Sequence, residues 1–249
     1  MKSINNFEDY YYSGANNQPA NYEDINTFNT HPLNLEKVAG VYGWMFVGLL
    51  ISGIVAFITY STISTDMILN MLLFFIFFGI ELALVYYLSE GKVIEMEYSR
   101  AVALFLIYSV INGITLSLIF IAYTLSSIAY TFFICAAVFG IMALYGSLTK
   151  ANLTSAGSFL YMGLVSILIV SIFNAILKNP IIYWIETFVG VMIFLGLTAY
   201  DAQKIKVKIA DYQGTDKVNN IAIYCALLLY LDFINLMLKL LRLFGKRKR

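Results

Sequence analysis

After residue 39 the chain is dominated by seven stretches of roughly 20 apolar residues, and no other feature limits its fold so strongly. A bilayer's hydrocarbon core is about 30 Å thick and takes about 20 helical residues to cross. The runs fall near residues 40–60, 67–88, 101–124, 128–147, 158–177, 181–203 and 221–243. In lipid every backbone N–H and C=O must be satisfied inside the protein, which leaves only helices and closed barrels. Barrel strands alternate apolar and polar residues over about 9–11 positions. Runs such as Met71–Phe78 are continuous, so a barrel is excluded. The predicted fold is all-α, a polytopic membrane helical bundle of seven transmembrane helices over residues 40–245. Composition agrees: 12% of residues are charged, about half the share of a soluble domain.

The links at Ser126-Ser127 and Lys178–Pro180 are tight, so spans three and four, and five and six, are expected to form antiparallel hairpins. Small residues let helices approach closely in lipid, and Gly79, Gly113, Gly140, Gly146, Gly163, Gly190 and Gly196 are read as packing positions. Residues 1–39 are rich in Asn, Tyr, Asp and Glu, a composition too polar to offset ordering entropy, and are predicted to be a disordered tail. They lack a basic stretch followed by an apolar core, so the first span is expected to act as an uncleaved insertion signal. The lysines and arginines of the second, fourth and sixth links lie on the N-terminal side, which the positive-inside rule makes cytoplasmic. The basic tail at 246–249 then falls on the opposite side after seven crossings, against the rule, unless one run is re-entrant. Seven crossings with a cytoplasmic N-terminus is the reading adopted, and short links point to a bacterial plasma membrane.

Several function classes are excluded early. A net charge of +1 offers nothing for nucleic acid. Cys135 and Cys225 sit in apolar runs without metal-site spacing and read as small buried side chains. His31 lies alone in the polar tail. No cofactor motif is present.

Acids inside apolar spans are costly, by about 2.5–3.5 kcal/mol at mid-helix. Glu81, Asp201 and Asp232 are the three singled out. Spans six and seven run antiparallel around a polar turn centred near Asp216, so Asp201 and Asp232 should be level. Two level carboxyls in low dielectric cannot both ionise cheaply and titrate as a pair. The pair therefore has a protonated form and an ionised form that attracts cations. Simpler alternatives stand beside this: Asp201 hydrated at the interface, and Asp232 or Glu81 as interhelical hydrogen-bonding residues. Asn112, Asn174 and Asn235 are read as interhelical hydrogen-bonding residues. Asn235 shares a helix face with Asp232 and could extend the polar site.

Three motifs carry a family resemblance. They are Gly196-Leu-Thr-Ala-Tyr-Asp-Ala-Gln-Lys-Ile-Lys206, Leu229-Tyr-Leu-Asp-Phe-Ile-Asn-Leu-Met-Leu-Lys-Leu-Leu-Arg-Leu-Phe-Gly245, and Asn112-Gly-Ile-Thr-Leu116. Together they resemble the transmembrane Bax inhibitor motif family over roughly residues 35–245. The resemblance implies that the last helix is surrounded by the other six. It implies a pH-sensitive calcium leak in bacterial members, and suppression of cell death in eukaryotic ones. Asp201 and Asp232 match the family's paired aspartates, and Glu81 its second-helix glutamate. The family also uses an arginine after the second helix to bond the first aspartate; Lys92 and Arg100 are the cations there, with Arg100 the candidate. Calcium favours several carboxylate oxygens, and Asp201 and Asp232, with Glu81, could make a weak, transient site.

Calcium ions, protons and the bilayer are thus the expected partners. Two alternatives remain. One is an interaction protein that regulates a membrane protease or a stress or cell-death pathway, with a membrane protein as partner. The other, more remote, is an intramembrane aspartyl protease, for which Tyr200-Asp201 fits half a signature while Tyr230-Leu-Asp232 lacks the glycines of the other half. No span holds a histidine base, so serine-type chemistry is not expected. Lys239, near the end of the last span, is expected to snorkel to the interface.

Overall fold

The structure, a computed structural model, describes residues 35–65 and 70–248. Most of the polar tail, His31, the start of the second span and Arg249 lie outside them. The described residues form α1 (Leu35–Thr62), α2 (Met71–Tyr87), a single turn α3 (Glu90–Val93), α4 (Tyr98–Ala122), α5 (Leu125–Leu148), α6 (Thr154–Leu177), α7 (Pro180–Asp211) and α8 (Val218–Phe244). Six of these helices are long and apolar enough to cross a membrane, and α2 is a shorter apolar helix of 17 residues. At 1.5 Å per residue α2 is about 26 Å long, and it packs chiefly against α4.

Helix α8 is the axis. Of its most apolar window 67% is buried, against 11% for α6. It packs on α1, α4, α5 and α7, and touches α3. Helices α2 and α6 stand a layer further out, α2 chiefly against α4 and α6 against α7. The C-terminal helix is therefore central, with its innermost ring made by four of the long helices.

Local chemistry sets the helix ends, and in places moves them from the expected positions. Helix α1 begins at Leu35, five residues inside the stretch read as tail. Between α4 and α5 the break falls at Tyr123-Thr124, not at Ser126-Ser127, because Thr124 Oγ1 accepts from Ser127 N at 3.4 Å and so places the serines in the first turn. The α6–α7 turn uses Lys178 in the left-handed region (φ 52°), followed by Asn179 as N-cap and Pro180 in the first turn. Asn179 Oδ1 accepts from Ile181 N at 2.9 Å. Helix α7 does not stop at residue 203 but continues to Asp211, because Ile205, Lys208 and Ile209 carry its buried face onward.

One end of the bundle gathers the start of α1, α3, and the α5–α6 and α7–α8 turns. Lys37 donates to Asn219 Oδ1 at 2.8 Å, Asn220 to the Val93 and Met96 carbonyls at 2.8 and 2.7 Å, and Gln203 Nε2 to Ala151 O at 2.8 Å. Lys92, Arg100, Lys150, Lys204, Lys206, Lys208 and Lys217 also belong to this end. The C-terminal segment lies at the opposite end, where Tyr123 and Arg247 form an isolated bridge and Thr124 N donates to Lys246 O at 3.1 Å.

Close approach at glycine holds the layers together, but not at every glycine. A Cβ on Gly146 would lie 1.9 Å from the Ala199 carbonyl oxygen, where α5 crosses α7. A Cβ on Gly113 would lie 2.8 Å from Ser52 O on α1. Gly79 and Gly140 face open space, which corrects the packing role expected for them. Gly146→Ala is expected to lose about 1–3 kcal/mol through overpacking against backbone. Gly140→Ala, on the same helix, should be neutral or gain about 0.5–1 kcal/mol. Thermal unfolding of both variants in detergent, followed by helical circular dichroism, checks the contrast.

Candidate functional site

Asp201 projects from α7 on the face that also carries Leu197, Thr198, Ile205 and Lys208, all buried. Asp232 projects from α8 between Leu229 and Leu236. The two helices pack along these faces, and the carboxyls come within hydrogen-bonding reach of each other. Asp201 is 2% exposed and Asp232 5% exposed. Helix α6 adds Tyr161, whose hydroxyl donates to Asp201 Oδ1 at 3.3 Å. Asp232 Oδ2 has no hydrogen-bond donor among the described residues. Two buried carboxylates facing one another with no donor between them would repel if both were ionised.

Cations sit towards the basic end. Lys204 and Lys208, one and two turns further along α7, are the positive charges acting on Asp201. Lys208 is buried and paired with Glu90 of α3, which ties that turn to α7. Lys206 donates to the Ser147 carbonyl. Arg100, the candidate for bonding Asp201, is exposed in the first turn of α4. Lys92 stands 3.6 Å from the centre of the Tyr86 ring and 4.7 Å from that of Tyr87. Among the described residues neither side chain bonds Asp201.

Glu81 does not join the aspartates. It accepts from Thr115 Oγ1 at 2.7 Å beside Asn112 on α4. Asn112 Oδ1 accepts from the Tyr230 hydroxyl at 2.8 Å, and that hydroxyl also meets Ser52 Oγ at 2.6 Å. Of the three asparagines read as interhelical, only Asn112 bridges helices. Asn174 Oδ1 accepts from Asn179 N in the α6–α7 turn at 3.0 Å, and Asn235 donates to Leu231 O on its own helix at 2.8 Å. Among the described residues no three acidic, histidine or cysteine side chains converge on one point, which corrects the grouping of Glu81 with the pair. Cys135 and Cys225 are buried and free.

A further buried charge cluster lies nearer the C-terminal end. Lys239 does not snorkel: its ammonium donates to Glu186 Oε1 at 2.6 Å, and Arg242 donates to the same oxygen at 3.2 Å. Glu186 is 4% exposed and Lys239 9% exposed. A lysine this deep stays charged at acceptable cost only beside its counter-ion, which explains its inward course. Glu186 was as visible in the sequence as Glu81, being an acid six residues into an apolar span. Tyr161 had no such signal, one tyrosine among 19.

Comparison with known proteins decides the family. A family model described as "Inhibitor of apoptosis-promoting Bax1" matches residues 36–249. The chain belongs to this Bax inhibitor family. Inner membrane protein YbhL of Escherichia coli is 43% identical over 215 residues, which cover 85% of this chain and 92% of YbhL. A protein of Borreliella burgdorferi is 42% identical over 214 residues, with 85% and 92% covered. A protein of Rickettsia prowazekii is 39% identical over 215 residues, with 84% and 88% covered. With its apolar helices, the chain is a multi-pass integral protein of the inner membrane.

Removing Glu186 strands the buried Lys239 charge, whereas removing Lys239 leaves Glu186 bonded to Arg242. Glu186→Gln is expected to cost on the order of 3 kcal/mol and Lys239→Met less. The double variant should recover most of that loss. A double-mutant cycle on unfolding midpoints in detergent checks this, and additive losses would show that the pair is not coupled.

Proposed function

We propose that this protein is a pH-sensitive leak for calcium ions, gated by Asp201 and Asp232. The observation that supports it best is the buried contact between the two carboxyls, with Asp232 Oδ2 lacking any other donor among the described residues. With one proton shared, the contact is stable and carries a single negative charge. Losing that proton leaves two like charges side by side, which must separate or take up a cation. Four carboxylate oxygens and the Tyr161 hydroxyl fall short of the six to eight oxygens calcium prefers. Water has to complete the shell, so binding is weak, and weak binding is what conduction requires. Protons and calcium compete for the same oxygens, so lowering the pH weakens calcium binding at the pair.

The energetics favour the same reading over a purely structural role. Two buried acids in contact stabilise a fold less well than an apolar pair of similar size. An interaction protein would need only its helix surfaces and would gain nothing from this contact.

An asparagine at either position is isosteric, and its amide can donate to the remaining carboxylate as the shared proton does. Asp201→Asn and Asp232→Asn should therefore fold normally and be fixed in the proton-sharing arrangement. Purified protein in liposomes loaded with a calcium indicator is expected to pass calcium at a rate that changes with pH. Each asparagine variant should lose the pH dependence and at least about tenfold of the peak flux, a loss equivalent to about 1.4 kcal/mol. Unchanged pH-dependent flux in both variants would remove the pair from the mechanism. No flux above empty liposomes at any pH would replace the leak with the interaction role.

A further inference from the structure

On the side of the bundle away from the aspartates, α1, α4 and α5 leave an apolar cavity of about 260 Å³ above α8. Its walls include Gly53, Phe120, Ile128, Phe132 and Phe233. A second depression along α1 continues it and shares Leu49, Gly53 and Phe132 with it. The two form one trough at the depth of the apolar spans. The hydroxyl of Ser52, the polar group on its floor, is committed elsewhere, to the Ser109 carbonyl at 2.7 Å and to Tyr230. A lining without available polar groups does not hold water, and an apolar cavity of about 150 Å³ already binds a small hydrocarbon.

The end of this trough nearest the C-terminus is basic and aromatic. Phe120 stacks with Tyr60 at a ring separation of 5.9 Å and meets Phe57 edge-on at 6.1 Å. Lys248 Nζ donates to the Tyr60 hydroxyl at 2.8 Å and to the Phe120 carbonyl at 2.7 Å. Lys246, Arg247 and Lys248 are all exposed there, held by backbone hydrogen bonds to the α4–α5 link. Tyrosine and lysine at the end of apolar spans mark the headgroup level of a bilayer. An open apolar trough ending in fixed cations is complementary to one molecule with a hydrocarbon chain and an anionic head.

We infer that this trough is a binding site for one anionic phospholipid, an acyl chain lying over Gly53 and Phe132 and the headgroup phosphate held by Lys246 and Lys248. The inference rests on binding alone and stands apart from calcium flux. Basic residues at a membrane surface favour anionic lipids, and the chain supplies the remaining contact.

The test is native mass spectrometry of the full chain, delipidated in detergent and titrated with phosphatidylglycerol or phosphatidylcholine of identical acyl chains. One phosphatidylglycerol is expected to bind about tenfold or more tightly than phosphatidylcholine. Lys246→Gln with Lys248→Gln should reduce that preference to about threefold or less. A side chain at Gly53 meets open space, so Gly53→Leu should fold, fill the trough and lose the bound lipid whatever its headgroup. Glycerol phosphate, a headgroup without chains, should not compete. Equal, statistical binding of both lipids would overturn the proposal by reducing the trough to ordinary lipid contact. Retention of phosphatidylglycerol by Gly53→Leu, or competition by glycerol phosphate, would overturn it by showing that the chain has no part.

Discussion

Helices in lipid gain nothing from excluding water between them, so polar pairing and close backbone approach must decide how they assemble. In this protein most of that burden falls on α8. Tyr230 links it to Ser52 of α1 and Asn112 of α4, Asp232 links it to α7, and Lys239 links it to α7 a second time through Glu186. These contacts lie at successive levels along one helix. Around them fully buried side chains such as Leu229, Leu236 and Phe105 complete the packing. The central position of α8 follows from this arrangement, because a helix with polar groups at several levels needs partners on several sides.

The architecture was legible from the apolar runs because lipid permits so few spanning structures. Individual boundaries were less legible where a polar residue had a local use. Thr124 ended the α4–α5 link before the two serines that looked like a turn, and Lys208 looked like loop chemistry although its aliphatic stem continues a buried face. The placement of Asp201 and Asp232 opposite each other could be read from their equal distance to a polar turn. The separation of Glu81 from them could not, since nothing in one sequence says that α2 packs against α4 and not against α8. Lys239 misled for a related reason. A lysine near a helix end usually reaches for water, and only the facing acid, 53 residues away, turns it inward.

The polar side chains divide the bundle along its length. At one end lysines crowd the turns, with Lys208 held by Glu90. In the middle the aspartates face each other out of solvent, flanked by an aromatic layer in which Phe233 meets Phe132 and Phe139 at 5.5 and 5.4 Å. Towards the far end the Glu186 cluster restores charge to the interior. The buried acidic pair therefore lies between two zones of positive charge.

Helix α6 is the least enclosed of the long helices, yet it supplies the Tyr161 hydroxyl that reaches Asp201. At 3.3 Å that bond is already long, and a small outward displacement of α6 would break it. Only 11% of the most apolar window of α6 is buried, against 67% for α8, so the protein holds α6 less firmly than the axial helix. Through a single tyrosine, the outermost of the long helices is thus joined to the carboxyl pair beside the axis of the bundle.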